Sequence, residues 1–255
     1  MRLVDGAEAI RGDLPIRATL TVDVPAGAGS DLGTSVHRLS SVTYVRDQVL
    51  AALRGTVGVP ILIGGDCSAD LGGIMHAMSR NDVAVVWIDA HPDLNTPETS
   101  PSGAFHGMVL RTLLGDGPAA ATPATPLGPD RLILAGTRTE DEAESDFIES
   151  AGLTLLRPAE LTPESLSTAL RESGATSVYL HIDLDVLDPA EFECVGFPEP
   201  FGITVATLVS LIGAARATLP LVGAALTEFS PASIDSASAD QTTILRIIGA
   251  LTKQL

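Results

Sequence analysis

Acidic residues and a histidine alternate with other residues in one short stretch of the chain. Residues 89–93 read Asp-Ala-His-Pro-Asp and directly follow the apolar run 83–88. Because alternate residues of an extended segment face the same side, Asp89, His91 and Asp93 are predicted to lie on one face. Carboxylate and imidazole ligands suit Mn, Fe, Co or Zn. The stretch therefore predicts a metal site.

Further acidic side chains follow other apolar runs. Asp183 and Asp185 come after residues 177–182, and Glu228 comes shortly after residues 221–226. Ligands of open α/β sheets bind outside the carboxyl ends of the strands, so these acids are expected to meet the first motif at one edge. Two acidic motifs that both follow apolar runs are harder to explain as an accident than one.

So many carboxylates at one edge would repel one another and could not all ionise without cations. We expect a pair of divalent ions to neutralise them. Two such ions at about 3.5–4 Å can also activate a shared water molecule for hydrolysis. The pattern therefore predicts a hydrolytic metal pair, and the acids expected around it are Asp89, Asp93, Asp183 and Asp185.

The elements that must position these residues can be predicted from the alternation of apolar runs with helical patterns, which is typical of βα units. Hydrophobic residues make up 45% of the chain but aromatic residues only 4%. An aliphatic core of this kind suits a buried, mostly parallel sheet flanked by helices. We predict one domain over residues 1–255, with strands at 18–24, 59–63, 83–88, 131–135, 153–156, 177–182 and 221–226, and helices at 35–53, 69–79, 105–114, 140–151, 163–173, 205–218 and 239–253.

These motifs resemble those of the arginase/agmatinase ureohydrolases, over about residues 60–231. The resemblance implies a three-layer α/β/α domain and a metal-dependent hydrolase that acts on linear amidines. It also implies two Mn²⁺ ions, or other divalent metals, and a homo-oligomer that is a trimer or a hexamer. The matching stretches are Gly-Gly-Asp-Cys-Ser at 64–68, Asp-Ala-His-Pro-Asp at 89–93, Ser-Gly-Ala-Phe-His-Gly at 102–107, Asp-Leu-Asp-Val-Leu-Asp-Pro at 183–189 and Glu-Phe-Ser-Pro at 228–231.

The resemblance also implies a role for each matching residue. Asp89 and Asp183 would bridge the two ions. Asp93 would be a metal ligand and would also accept a hydrogen bond from the attacking nucleophile. His106 would move protons near the leaving amine. Glu228 would pair with the substrate guanidinium, which a carboxylate binds through two charge-assisted hydrogen bonds. The implied metal ligands are Cys67, Asp89, His91, Asp93, Asp183 and Asp185.

The residues between the first metal motif and His106 are similar to the arginase segment that binds the amino-acid end of the substrate. By this resemblance Asn95, Ser100 and Ser102 would contact an α-carboxylate, and Asp141 would contact an α-amino group. Asn95 and Ser102 are also ordinary turn formers. Since agmatine has no carboxylate, the functional interpretation favours L-arginine or a close derivative. An agmatinase or another guanidino-acid ureohydrolase is the alternative.

The chain departs from the family at Cys67, where the family usually has histidine. As a thiolate ligand, Cys67 would add a negative charge and a soft donor, and would make the metal a weaker Lewis acid. As a protonated thiol it would leave that metal with fewer ligands, and as a small buried residue it would have no role in the chemistry. A resembling subgroup with cysteine here hydrolyses Nω-hydroxy-L-arginine to L-ornithine and hydroxyurea. That substrate is a hypothesis that depends on Cys67 alone.

Cys67 leaves two other classes of protein open. At a strand-to-helix junction its thiol could attack a guanidinium carbon covalently, but this mechanism leaves the acidic motifs unexplained. A non-catalytic relative with a degraded site is the second class. The other matching positions are intact, which argues against this class. His181, two residues before Asp183, remains open between a residue that lines the site and a satisfied core histidine.

Charge and composition limit the partners and the location. The net charge of −17 argues against nucleic acid and is compatible with a small cationic guanidino substrate, although much of it is expected to be solvated surface. No apolar run reaches membrane-spanning length, and the N-terminus carries acids where a signal peptide has its apolar stretch. We therefore expect a cytoplasmic protein without membrane contact, in which Cys67 and Cys194 are thiols.

Overall fold

The computed structural model describes residues 3–232 and 234–253. Within these residues six strands form one sheet in the order β1-β6-β5-β2-β3-β4, and every pairing is parallel. The two central strands are therefore β5 and β2. The strands are β1 Ile61–Ile63, β2 Val83–Ile88, β3 Leu132–Ala135, β4 Thr154–Leu156, β5 Ser177–Asp183 and β6 Leu221–Thr227.

Helices cover both faces of the sheet, because neighbouring residues of the central strands point to opposite sides. In β2, Val86 belongs to one buried cluster with α1, α6, α7 and α8, whereas Trp87 belongs to a second cluster with α2, α3, α4 and α5. The predicted three-layer architecture is confirmed. The α-helices are α1 Leu3–Asp13, α2 Leu39–Leu53, α3 Leu71–Arg80, α4 Val109–Leu113, α5 Glu142–Ala151, α6 Pro163–Glu172, α7 Val205–Thr218 and α8 Ile234–Thr252.

The main errors of the prediction lie near the N-terminus. The predicted strand 18–24 is wrong: Ile16–Ala18 is a 3-10 turn, and Leu20 and Val24 stay 71% and 72% exposed. Within the described part of the chain, no strand pairs with this alternating apolar segment. Helix α1 was not predicted, and it packs so closely on the segment after β6 that a Cβ at Gly6 would overlap the carbonyl oxygen of Phe229.

Three helix starts also differ by four or five residues. Helix α2 begins at Leu39, four residues after the predicted start at 35. The predicted helix 105–114 divides into a 3-10 turn, Phe105–Met108, followed by α4. Helix α8 begins five residues before the predicted start at 239. Among the described residues, no helix combines the length and apolar character needed to cross a membrane.

The strand register brings the acidic motifs together. Ile88 at the end of β2 pairs with Ile182 of β5, and Asp183 pairs with Thr227 at the end of β6. Leu226 in turn pairs with Ile63 at the end of β1. The residues that follow β1, β2, β5 and β6 therefore emerge side by side at one edge of the sheet.

Candidate metal centre

Cys67 lies in the 3-10 turn Cys67–Asp70 that follows β1, and Asp66 stabilises the start of this turn by accepting a hydrogen bond from the Ser68 amide at 3.0 Å. The turn directs the buried thiol at the acids of the neighbouring strands. Its Sγ donates to Asp183 Oδ2 at 3.0 Å and lies 3.9 Å from Asp89 Oδ2. The departure from the family pattern is therefore located inside the acidic cluster.

Two groups of possible ligand atoms form among the described residues. One consists of Cys67, Asp89, His181 and Asp183, and the other of Asp89, His91 and Asp185; the atoms within each group lie within 4.8 Å of one another. Asp89 belongs to both groups. The arrangement therefore offers two adjacent cation sites with one shared carboxylate, as the sequence motifs predict for a metal pair.

Backbone amides fix one oxygen of each of these carboxylates. Asp89 Oδ1 accepts from the His91 amide at 2.7 Å, Asp183 Oδ1 from the Asp185 amide at 2.9 Å, and Asp185 Oδ1 from the Ala90 amide at 3.1 Å. The Oδ2 atoms are directed at other members of the two groups: Asp185 Oδ2 lies 3.0 Å from His91 Nδ1. Ligand orientation is thus set by the backbone before any ion binds.

Asp93 and Glu228 line the same cluster but belong to neither group of ligand atoms. Both are buried, and both adopt left-handed backbone conformations, with φ of 50° and 65°. Such strain in a residue other than glycine is concentrated at functional sites. Asp93 Oδ2 and both carboxylate oxygens of Glu228 are buried without a hydrogen-bond partner among the described residues. They are positioned for partners that the described residues do not supply.

The acids of the cluster bind protons unusually tightly when no cation is present. Burial, together with repulsion from neighbouring carboxylates, raises the pKa of Asp183 to about 7 and that of Asp185 to about 6. Burial and repulsion, mainly from Asp183, also raise the pKa of Glu228 to about 10. The pKa of Asp93 lies well above its usual range for the same reasons. Divalent cations would offset this repulsion, so the residues fit a metal pair.

His91 and Cys67 respond to the same negative field. Burial lowers the pKa of His91, but hydrogen bonds to Asp185 and Asp89 outweigh this effect and raise it to about 12. Burial and the surrounding carboxylates raise the pKa of the Cys67 thiol. Without cations, Cys67 is therefore a neutral hydrogen-bond donor, whereas a bound metal ion deprotonates a coordinating thiol.

The residues predicted to bind the amino-acid end of a substrate form two contacting pairs. The Asn95 side-chain amide donates to Asp141 Oδ2 at 2.8 Å, although 46 residues separate the two. Ser100 Oγ and Ser102 Oγ are 3.5 Å apart, and they accept hydrogen bonds from the amides of Gly103 and Ala104. Asn95 is buried and Asp141 is exposed, so this pair leads from the interior to the surface.

His106 lies in the 3-10 turn Phe105–Met108, and its ring stacks on Phe197 with centroids 5.7 Å apart. The ring of Phe197 also presents an edge contact to His91, with centroids 6.4 Å apart. Glu199, two residues further on, places Oε1 3.9 Å from His91 Nε2. The predicted proton-transfer residue therefore shares a neighbour with the metal ligands.

Phe197, Glu199 and the Asp70 that follows Cys67 were not singled out from the sequence. Phe197 and Glu199 belong to the loop between Asp185 and α7, which follows the carboxyl end of a central strand. Ligands of parallel sheets bind in such loops, so the position of this loop in the sequence could have indicated that its residues line the site. Arg138 fixes the loop by donating to the carbonyl oxygens of Asp185 and Glu199, both at 2.8 Å.

The chain is similar to known proteins in sequence and in fold. The sequence profile of the arginase family matches residues 8–251. Arginase of Bacillus caldovelox is 32% identical over 200 residues, which covers 71% of this chain and 67% of that protein. The Nω-hydroxy-L-arginine amidinohydrolase of Streptomyces lavendulae is 32% identical over 205 residues, covering 79% and 71%. The crystal structure of Entamoeba histolytica arginase in complex with L-ornithine has the same fold, with a TM-score of 0.86, 23% identity, and coverage of 100% of this chain and 94% of that one.

Proposed function

Since the chain belongs to the arginase family of metal-dependent hydrolases acting on guanidino groups, we propose that it is a binuclear-metal amidinohydrolase that cleaves L-arginine or a close derivative. The observation that carries this proposal is the position of Asp89 in both groups of ligand atoms at the carboxyl edge of the sheet. One carboxylate between two adjacent cation sites is what a hydrolytic metal pair requires.

We propose two Mn²⁺ ions as the metals, with other divalent ions as alternatives. Asp89 and Asp183 would bridge them. Asp93, whose backbone conformation is strained, would be a further ligand. Bound cations supply Lewis acidity and lower the pKa of a water molecule that becomes the nucleophile. The remaining proposed ligands are Cys67, His91 and Asp185.

We propose that Glu228 recognises the guanidino group. Its two buried oxygens have no partner among the described residues, and the Glu228 amide is fixed by a 2.7 Å hydrogen bond to the carbonyl oxygen of Gly65. A planar guanidinium offers parallel N–H donors that satisfy both oxygens of a carboxylate at once. Binding of a cation also favours the ionised form of this acid, whose pKa is otherwise raised to about 10.

Proton movements are assigned to His106 and Asp93. Asp93 Oδ2 has no hydrogen-bond partner in the described part of the chain, so it can accept a hydrogen bond from the nucleophile. His106 is partly exposed and its ring is oriented by Phe197, so it can exchange protons with solvent. We propose that His106 delivers a proton to the departing amino group as a general acid.

The amino-acid end of the substrate would bind at Asn95, Ser100, Ser102 and Asp141. The 2.8 Å hydrogen bond between Asn95 and Asp141, which are far apart in the chain, supports a shared function for these two residues. Ser100 and Ser102, two residues apart, lie within 3.5 Å of each other. Asp141 would pair with the α-amino group, and the amide and hydroxyl groups would bind the α-carboxylate. A substrate without a carboxylate would leave these donors unused, which favours arginine derivatives over agmatine.

Sequence identity does not choose between arginine and Nω-hydroxy-L-arginine, because the arginase and the hydroxyarginine amidinohydrolase are each 32% identical to this chain. Cys67 supports the hydroxylated substrate. A thiolate would add negative charge to the metal centre and weaken its Lewis acidity. The electron-withdrawing hydroxyl group makes the guanidine less basic and more electrophilic, so its hydrolysis to L-ornithine and hydroxyurea demands less of the metals.

The surroundings of Cys67 do not favour a covalent mechanism. An attacking cysteine needs a lowered pKa, which positive neighbours or a helix N-terminus supply. Here burial and four acids, among them Asp93 and Asp183, raise the pKa of the thiol instead. Cys67 therefore fits a ligand better than a nucleophile.

An assay of the purified protein with added Mn²⁺ tests the proposal. The substrates are L-arginine, Nω-hydroxy-L-arginine, agmatine and 4-guanidinobutyrate, and ornithine, urea and hydroxyurea are the products to quantify. We expect the highest kcat/KM for Nω-hydroxy-L-arginine. A strong preference for arginine would reject the hydroxyarginine assignment alone, and no turnover of any guanidine would reject the amidinohydrolase.

Assembly into a trimer or hexamer is proposed by family resemblance, and the cytoplasmic location expected from the sequence pattern stays a proposal. Light scattering coupled to size-exclusion chromatography measures the first directly.

A further inference from the structure

A buried chain of hydrogen bonds lies directly behind Cys67 and is not used in the proposed mechanism. Asp70 is 0% exposed, and one of its carboxylate oxygens accepts a hydrogen bond from the Tyr179 hydroxyl. Its other oxygen lies 2.9 Å from Nδ1 of His181, which is also 0% exposed. Asp70 thereby fixes Nδ1 of His181 as the nitrogen that carries the proton.

The orientation of the His181 ring is fixed from a second direction. The ring stacks on Trp87, with centroids 3.4 Å apart and planes 5° from parallel. Its Nε2 atom lies 3.4 Å from Thr227 Oγ1. That hydroxyl group is itself 3.2 Å from Asp183 Oδ2 and 4.0 Å from Cys67 Sγ. The unprotonated nitrogen therefore faces the acidic cluster.

Histidines that bind metals almost always donate their second ring N–H to a carboxylate or carbonyl group, which fixes the tautomer and the ring. Asp70 and His181 have this arrangement, and the ligand atoms of His181, Cys67, Asp89 and Asp183 lie within 4.8 Å of one another. We infer that His181 supplies the nitrogen ligand to the ion bound by Cys67, an inference that rests on the proposed metal centre. His181 thus compensates for the histidine that Cys67 replaces, and Asp70 is its positioning residue.

A satisfied core histidine explains the bond to Asp70 but not the rest of the geometry. A buried ionisable pair adds little stability over an apolar pair of the same volume, so stability alone does not account for it. A core role leaves Nε2 with only the long 3.4 Å contact to Thr227 Oγ1, whose hydroxyl group lies beside Asp183 and Cys67. A ligand role gives Nε2 a metal ion as its partner.

Metal binding by the full chain tests the inference without reference to catalysis. The chelator-treated protein is titrated with Co²⁺, and the d–d and thiolate-to-cobalt absorption bands are recorded together with the affinity of each site. His181→Phe keeps a flat ring against Trp87 and removes both nitrogens. Its affinity at the thiolate-containing site should fall at least about 100-fold, since loss of an outer-shell partner already costs about 10–100-fold. His76→Phe, on α3 outside the cluster, is the matched control and should bind as the wild type does.

Two further variants keep the test independent of folding defects. In Asp70→Asn the amide oxygen still accepts the Nδ1–H bond, and the affinity of the same site should fall about 10–100-fold. Adding Cys67→His to His181→Phe should restore tight binding, because the imidazole at position 67 supplies the missing nitrogen ligand from the other side of the site. A packing role predicts no such rescue.

The inference is overturned if His181→Phe and Asp70→Asn both bind Co²⁺ within about twofold of the wild type with unchanged spectra. Wild-type protein that binds no ion would instead remove the metal centre itself, and this inference with it. The two failures are therefore distinguishable in one titration series.

Discussion

The Cys67 thiol donates a hydrogen bond to Oδ2 of Asp183 across 3.0 Å, at the position where β1 and β5 open into one acidic cluster. The contact places the residue that departs most from the family pattern beside a proposed bridging carboxylate. Burial and nearby acids keep the thiol protonated, so its conversion to a ligand is coupled to the arrival of a cation. Substitutions at Cys67 should therefore change the metal centre before they change the fold.

Cys67→His should shift the substrate preference toward L-arginine. An imidazole removes the negative charge of a thiolate from the centre and makes the ion a stronger Lewis acid, which favours the less electrophilic substrate. We expect the ratio of kcat/KM for hydroxyarginine to kcat/KM for arginine to fall about tenfold or more, an energy difference of ~1.4 kcal/mol. Cys194→Ser, at the other buried cysteine, is the control and should leave the ratio unchanged. An unaltered ratio in Cys67→His would disconnect Cys67 from substrate choice.

Asp141→Ala should impair binding of amino-acid substrates selectively. Removing its contact to an α-amino group, together with the 2.8 Å bond from Asn95, costs one or two charge-assisted hydrogen bonds of ~1.5–3 kcal/mol each. KM for arginine or hydroxyarginine should rise about 10–100-fold while kcat changes little. Glu142→Ala, an exposed acid at the next position, should behave as the wild type. A similar rise in KM for agmatine would show that Asp141 does not recognise the amino-acid end.

Glu228→Gln should separate catalysis from stability. The carboxyl group is protonated in the metal-free protein, because its pKa is raised to about 10, so a neutral amide of the same shape should leave the thermal unfolding temperature in chelator nearly unchanged. The amide cannot accept two charge-assisted hydrogen bonds from a guanidinium, and kcat/KM should fall about 100-fold or more. Near-normal kcat/KM would remove Glu228 from substrate recognition.

Metal-free protein should lose stability as the pH rises. The pKa of Asp185 is raised from 3.8 to about 6 and that of Asp183 from 3.8 to about 7. Acids with a higher pKa in the folded state bind protons more tightly there, so their contribution is complete below about pH 4 and is lost as pH rises through about 6–7. Thermal unfolding in chelator should show Tm falling over this interval, whereas saturating Mn²⁺ should reverse the trend.

The acidic surface also repels itself more strongly at higher pH, so the prediction needs a matched variant. Asp185→Asn should make the decline of Tm in chelator shallower, while Asp146→Asn, at an exposed position on α5, should leave its slope unchanged. A wild-type Tm in chelator that rises between pH 4 and pH 7 would contradict the pKa shifts of the cluster.

The strands and the acidic motifs could be predicted because short-range patterns determine both. Val83–Ile88 is apolar throughout and was predicted with its observed bounds, since both faces of a central parallel strand are buried. The residues after it follow the general rule for the carboxyl edge of such sheets, which is why Asp89 and Asp183 were expected to meet. Family resemblance then suggested roles that pattern alone could not supply.

Other parts depend on contacts that no local pattern encodes. Residues 18–24 have a strand-like pattern but lie outside the sheet, because pairing partners are decided by the whole chain. Asp70 reads as an ordinary residue at a helix start, and only the approach of its 3-10 turn to Tyr179 and His181 of β5 shows that it holds His181. Phe197 lies in a loop rich in proline and glycine, and its contact with His106 depends on how Arg138 fixes that loop.

The most direct test of the account is the metal stoichiometry of the wild type and of Asp89→Ala, measured by mass spectrometry after dialysis against Mn²⁺, with guanidine hydrolysis assayed in the same samples. Because Asp89 belongs to both groups of ligand atoms, we predict two ions per chain and full activity in the wild type. In Asp89→Ala we predict fewer than one ion per chain and loss of hydrolysis by at least about 1,000-fold, within the several kcal/mol that a metal pair contributes. Two ions and near-normal turnover in Asp89→Ala, or full wild-type activity with one ion or none, would contradict the binuclear centre.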